Sequence, residues 1–156
     1  MIGAGSICDM GSQFDFYDGG GLDICFMGAL EMDRFGNVNA HRGVDQVAGI
    51  GGFGNITSST RNVIFCLTTS TKGLNVTEED GSIHINSEGS ISKIVDKVRS
   101  ISFSGPRAVE NGQRVLYVTE RCVLQLTPVG LKLIEVYPGI DKQRDIKDRL
   151  CFEIMG

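Results

Sequence analysis

Tryptophan is absent from these 156 residues, histidine occurs twice and proline three times. His41 and His84 lie far from metal-ligand spacing and none of the five cysteines forms a Cys-x-x-Cys pair, which excludes a zinc ribbon or a dithiol redox centre. Two histidines without a nucleophile elbow do not make a Ser/His/Asp hydrolase. No apolar run is long enough to span a bilayer. Residues 1–5 have neither a basic n-region nor an apolar h-region, so they are not read as a signal peptide. Lysine and arginine number 15 against 19 acidic residues, a net charge of −4. The few basic residues form no stripe for nucleic acid and no run for an anionic membrane.

Apolar residues make up 41% of the chain, enough for one domain with a real core. Cys25, Cys66 and Cys122 fall inside apolar runs and read as buried thiols in a reducing, cytoplasmic compartment. Thirteen of the 21 glycines lie within the first 54 residues. They concentrate in Asp18-Gly19-Gly20-Gly21 and in Gly49-Ile50-Gly51-Gly52, each beside an apolar run. Glycine at the end of a strand lets a backbone approach a ligand closely.

Residues 22–30 read as a strand buried on both faces, hence central in a sheet. A turn at 32–37 leads to a hairpin return at 38–40. Residues 55–60 open a short helix, and 63–69 form a second buried strand. Glu78-Glu79-Asp80-Gly81 is a turn, while Ile91, Ile94, Val95 and Val98 fit a helical template. Strands follow at 114–119 and 122–127. Pro128 turns the chain into 131–136, and Asp141 caps a closing helix. Crossovers first and a hairpin last predict an α/β fold: a mixed sheet flanked by helices, with an antiparallel C-terminal portion, in one domain over residues 7–156.

Several residues are candidates for chemistry. Gly49, Gly51 and Gly52 ahead of a helix can present N–H groups to a phosphate or an oxyanion, and a tight strand-to-helix turn explains them equally well. There is no Gly-x-x-x-x-Gly-Lys loop, and the glycines are not read as a dinucleotide fingerprint. Asp15, Asp18 and Asp23 offer carboxylates for a metal or for acid–base work, although a turn explains them better and no metal is called for. Glu120-Arg121 reads as a surface or rim ion pair, and His41-Arg42 as a solvated loop able to meet a phosphate.

Longer motifs then stand in a recognisable order. They are the stretches 13–23, 36–39, 49–56, 101–105, 115–123 and 133–140, among them Phe14-Asp15-Phe16-Tyr17-Asp18-Gly19-Gly20-Gly21 and Tyr117-Val118-Thr119-Glu120-Arg121. From Ile7 onward the chain resembles the C-terminal part of family I CoA-transferases. It looks most like acetate/propionate and other short-chain acyl-CoA:carboxylate transferases, and less like succinyl-CoA:3-ketoacid transferases. The resemblance implies a two-half enzyme that uses coenzyme A as a substrate and holds no permanent cofactor. Loss of a leading β-α portion would expose a strand edge and apolar surface, so self-association into a homo-oligomer is expected to cover that edge. The resemblance also implies a ping-pong reaction through a glutamyl-CoA thioester. Gly49, Gly51, Gly52 and Asn55 then match the oxyanion and CoA side of the site, and Asp18, Gly19, Gly20 and Gly21 a substrate-side loop. The family's nucleophilic glutamate stands in a Glu-Ser-Gly-like segment ahead of the Phe-Asp-Phe-Tyr motif. No counterpart occurs here, so the nucleophile is expected upstream of Met1 and no catalytic residue is assigned within the chain. Glu31, the first glutamate, matches nothing catalytic. Residues 1–6 match poorly and are set apart as added or divergent sequence. The chain is therefore expected to be a truncated, inactive part of a transferase, partnered by the missing N-terminal portion. The alternative is a non-catalytic CoA-binding or subunit-interaction half of a split enzyme.

Overall fold

Asn62-Val63-Ile64-Phe65-Cys66 is β-branched and aromatic, a composition that suits a pleated strand between two neighbours, and in the computed structural model it forms β4 (Asn62–Cys66). The structure describes Gly3, residues 5–43 and 47–156. The separation of residues 1–6 falls partly outside these, and Met1, ahead of which the nucleophile is expected, lies outside the described residues altogether. Besides β4, the helices are α1 (Met10–Asp18), α2 (Phe53–Ser59) and α3 (Gly105–Glu110). Strands β1 (Ile24–Gly28), β2 (Glu31–Asp33) and β3 (Val38–Asn39) precede α2. After β4 come β5 (Ser70–Thr71), β6 (Asn75–Glu79), β7 (Ser82–Ser87), β8 (Ile91–Ser92) and β9 (Ile94–Val95). The last strands are β10 (Arg114–Val118), β11 (Cys122–Thr127) and β12 (Gly130–Val136).

The main sheet runs β1-β4-β10-β11-β12. β1, β4 and β10 are parallel, and β11 and β12 are antiparallel additions. This is the predicted mixed α/β sheet with an antiparallel end. Met27, Phe65 and Tyr117 stand in register on one face, and α2 and α3 pack over it. The Phe65 ring stacks on Phe53 and Tyr117 and meets Phe103 edge-on, with centroids 5.0–6.0 Å apart. These rings form the centre of the core.

A smaller sheet, β3-β2-β9, carries the expected hairpin at 32–39. Its turn is built on buried Asp33, whose carboxylate accepts from the Phe35 and Asn37 N–H groups at 3.0 Å and from Val98 N–H at 3.3 Å. Asn37 Oδ1 accepts in turn from Gly105 N–H, and the Tyr117 hydroxyl donates to the Gly36 carbonyl at 2.6 Å. Burial and the nearby Asp33 charge push the Tyr117 pKa well up, so it remains a neutral donor. A Cβ on Gly105 would lie 2.1 Å from the Phe35 carbonyl oxygen, so the turn and the start of α3 touch through backbone alone.

Several expectations need correction. The run 22–30 is not one central strand. It breaks after β1, which lies at the edge of the main sheet with Ile24 and Phe26 exposed, and its end turns into the smaller sheet. Residues 91–98 are not helical: β-branched Ile94 pairs beside Met32 and Val98 is buried, so the same spacing serves two short strands and a bend. Residues 10–18, where the sequence reading placed no element, form a helix capped by Asp9, which accepts from Ser12 N–H at 3.0 Å. Cys25 and Cys122 are buried as expected but Cys66 is exposed, because it falls on the open face of β4. The closing segment is capped by Asp141 as predicted, but it is a π-helical turn (Lys142–Ile146) followed by a 3-10 turn (Lys147–Arg149).

Phe65→Ala removes the ring on which three others pack and is expected to cost about 3–5 kcal/mol in urea unfolding. A loss below about 1 kcal/mol would show that the core is centred elsewhere.

Candidate functional site

β1 and β4 are parallel, so the chain must return between them, and α2 makes the last leg of that return. The N-terminus of α2 therefore lies toward the carboxyl ends of the parallel strands, and Gly49, Gly51 and Gly52 lead into it. In α/β sheets ligands bind outside those ends. Gly51 has φ +55°, a left-handed conformation that glycine tolerates best. Gly52 begins the helix with no side chain capping it. Among the described residues, no backbone bond engages the N–H of Gly51 or Gly52, whereas Phe53 N–H bonds to Ile50 and Ile56 N–H to Gly52. These orphan donors suit a developing negative charge.

Residues 49–54 do satisfy the letters Gly-x-Gly-x-x-Gly. A dinucleotide fingerprint needs those glycines directly after a strand. Here residues 29–48, including the β2–β3 hairpin, separate them from β1.

The two glycine groups lie at opposite ends of α2. Phe14 packs against Gly52, where a Cβ would sit 2.7 Å from its ring. Asp18 reaches Asn55, whose amide donates to both carboxylate oxygens at 3.0 Å, and Ser59 donates to the Asp18 carbonyl at 3.1 Å. Gly19, Gly20 and Gly21 then stop α1 by bonding back to Asp15, Tyr17 and Phe16 at 2.9–3.0 Å. Their observed work is to end a helix, and Asp18 holds Asn55. Asp15 and Asp23 stand apart from that pair: among the described residues no group of three or more His, Cys, Asp or Glu is placed to hold a metal.

His41 shares hydrogen bonds with Ser102 at 2.7 Å and Ser100 at 3.3 Å, so it is tied to the strand-like segment before α3. Glu31 is buried and accepts from Asn39 at 2.9 Å and from the Arg99 side chain at 2.7 Å. That engagement makes it a structural carboxylate.

Glu120-Arg121 is not a rim pair. Arg121 is 1% exposed. Its guanidinium donates to both Glu88 oxygens at 3.1 Å, to Glu120 at 2.8 Å and to the Asp145 carbonyl at 2.8 Å. Glu120 in turn accepts from Thr69 N–H at 2.9 Å. Burial weighs most heavily against the Arg121 charge, but Glu88 and Glu120 together outweigh it and raise the pKa. The hub joins the ends of β4 and β10 to the segment after β7 and to the C-terminal turns. Sequence reading missed its depth because charge adjacency carries no burial signal.

Arg121 donation lowers the Glu88 pKa, and Arg144 donation holds Asp145 at about 2. A carboxyl with a lower pKa in the folded state stabilises above its unfolded pKa, and that share is lost as pH falls through the folded value. The melting temperature is expected to drop as pH falls from about 4.5 toward about 2, less steeply in Glu88→Gln. Arg121→Ala strands two carboxylates and should cost about 3–5 kcal/mol in urea unfolding at neutral pH. A wild-type acid slope in Glu88→Gln, or a neutral Arg121→Ala, would contradict the hub.

No protein-family model matches the chain. Among curated proteins it is 44% identical to an acetate CoA-transferase of Escherichia coli K12 over 147 residues, 94% of this chain and 28% of that protein. It is also 44% identical to a caffeate CoA-transferase of Acetobacterium woodii over 149 residues, 92% of this chain and 28% of that protein. The chain thus spans little more than a quarter of these relatives. The acyl-CoA transferase of Escherichia coli O157:H7 has been solved as the apoenzyme and as a thioester complex with CoA. The two structures superpose with TM-scores of 0.96 and 0.95 at 42% identity, covering 99% of this chain and 30% of theirs.

Proposed function

From a chain with the sequence and fold of a family I CoA-transferase segment, we propose that it carries the oxyanion side of an acyl-CoA:carboxylate transfer site. The observation that supports this best is the glycine loop itself: two orphan N–H groups at the carboxyl ends of parallel strands, in a chain that aligns with an acetate CoA-transferase over 147 residues.

In this reading a glutamate carboxylate from outside residues 1–156, in chain ahead of Met1, attacks the thioester carbonyl of a short-chain acyl-CoA and expels CoA thiolate. A mixed anhydride remains. The thiolate then attacks the glutamyl carbonyl, releases the donor acid and leaves a glutamyl-CoA thioester. An acceptor carboxylate reverses the two steps and departs as the new acyl-CoA. Each addition puts negative charge on a carbonyl oxygen, and Gly51 or Gly52 N–H is the donor aimed at it. Asn55, held by Asp18, borders the same loop, and Gly49 gives the ligand close access to the backbone. Glu31 and Glu120 are already engaged by arginines and do not serve as nucleophile. The complete enzyme is a cytoplasmic homo-oligomer, a setting that suits five free thiols.

The test is turnover with acetyl-CoA and propionate. The 156-residue chain alone should form no propionyl-CoA. A chimera in which it replaces the matching stretch of the Escherichia coli acetate CoA-transferase should turn over, and borohydride after acyl-CoA treatment should inactivate it. Turnover by the chain alone, or an active chimera that borohydride leaves unmodified, would overturn the proposal.

A further inference from the structure

A strand sends successive side chains to opposite faces, and partners across a ladder share a face. In β4 the Phe65 ring points to the helices, and Cys66, one residue on, lies exposed on the bare face. Gly28 of β1 and Val118 of β10 are the ladder partners of Cys66, and Val123 of β11 is the partner of Val118. Gly28, Cys66, Val118 and Val123 therefore form one row across four strands. Gly28, Cys66 and Val118 are the last residues of β1, β4 and β10, so the row runs along the carboxyl edge of the parallel strands.

The glycine loop reaches the same edge. Phe53, the residue after Gly52, stacks on Phe65 with centroids 6.0 Å apart, and Cys66 is one residue further, a rise of about 3.3 Å. Loop and row thus stand at one level, with only the strand ends between them. The row is small and apolar. A Cβ on Gly28 would meet nothing within 4 Å, Val118 is half-buried and Val123 is buried. Neighbouring strands lie about 4.8 Å apart, so Gly28 to Val118 gives a floor of about 10 Å. Tyr137 stands near its far end: burial first, then the nearby Glu135, Cys122 and Cys66 groups, push its pKa up. The row holds no lysine or arginine, so it offers no partner to a second carboxylate.

We propose that this row is the floor on which the acyl group lies during transfer, and that Cys66 at its centre sets the size of the group accepted. The inference deepens the transfer-site reading and rests on it. A carbonyl held at Gly51 or Gly52 sends its chain over the strand ends, past the open space at Gly28 and onto Cys66 and Val118. The group that fits is an apolar acyl chain a few carbons long. A bulky side chain at position 66 cuts the floor short and penalises longer chains more than acetyl.

The test uses the chimera with the Escherichia coli acetate CoA-transferase and propionate as acceptor. It reads kcat/KM for butyryl-CoA over that for acetyl-CoA. Any unfolded fraction cancels in this ratio, so a merely structural change does not move it. The unsubstituted chimera should use both donors, and the ratio should fall roughly tenfold or more in Cys66→Phe. If Cys66→Phe does not fold, Gly28→Val carries the same expectation, because its Cβ has open space and a β-branched residue suits a strand. If the chimera does not fold, the same ratios are read on the 156-residue chain mixed with the remaining portion of the Escherichia coli enzyme. An active enzyme that refuses butyryl-CoA, or an unchanged ratio in a folded variant, would overturn this proposal and leave the transfer-site reading standing. A folded enzyme that transfers neither acyl group overturns that reading and this proposal with it.

Discussion

The handedness of the connections between β1, β4 and β10 is the constraint on which the rest depends. Three parallel strands laid down in one direction force both of their helices onto one face. That face is where Phe65 meets Phe53, Phe103 and Tyr117 and where the core closes. The same connection carries the chain back from β1 to β4 and so delivers the glycine loop to the carboxyl ends of the strands. Fold and site follow from one topological choice. It also leaves one edge and one face of the sheet open, because no connection among the described residues runs the other way.

Two buried polar assemblies hold the outlying pieces to this frame. Asp33, Asn37 and Tyr117 lock the β2–β3 turn against the start of α3 through backbone groups that would otherwise be orphaned. Arg121 gathers Glu88, Glu120 and the Asp145 carbonyl at the other margin. Asn37, Tyr117, Glu120 and Arg121 fall inside the motifs that resemble the transferase family, whereas Asp33, Glu88 and Asp145 lie outside them. Much of that resemblance therefore covers residues that fasten the fold, and in the proposed reading the part left for acyl transfer is the glycine loop and the Asp18–Asn55 pair.

What was legible in the sequence was what local chemistry decides. Asp80-Gly81, Pro128 and Asp141 announced their turns and caps because backbone φ and side-chain acceptors are local properties. The hairpin at 32–39 was legible for the same reason. The helical spacing of Ile91, Ile94, Val95 and Val98 misled because tertiary pairing to Met32 outweighed periodicity. The run 22–30 misled in a more useful way. Its apolar character is that of a central strand, and within this chain β1 is an edge. Arg121 was illegible because a charged residue next to its counter-ion looks the same on a surface and in a core. At the candidate site the glycines could be found by eye, but that they split to opposite ends of α2 required the helix pairing of Phe14 with Gly52 and of Asp18 with Asn55.

The central claim is that the N–H groups at Gly51 and Gly52 stabilise the oxyanion of an acyl-CoA site completed by chain outside these residues. Nitrogen-15 NMR of the completed enzyme, labelled at glycine, addresses it directly. Formation of the CoA thioester should shift the Gly51 or Gly52 amide proton downfield, as a new hydrogen bond demands, and leave Gly19, Gly20 and Gly21 unmoved. Thioester formation with both the Gly51 and Gly52 amides unchanged would contradict the account.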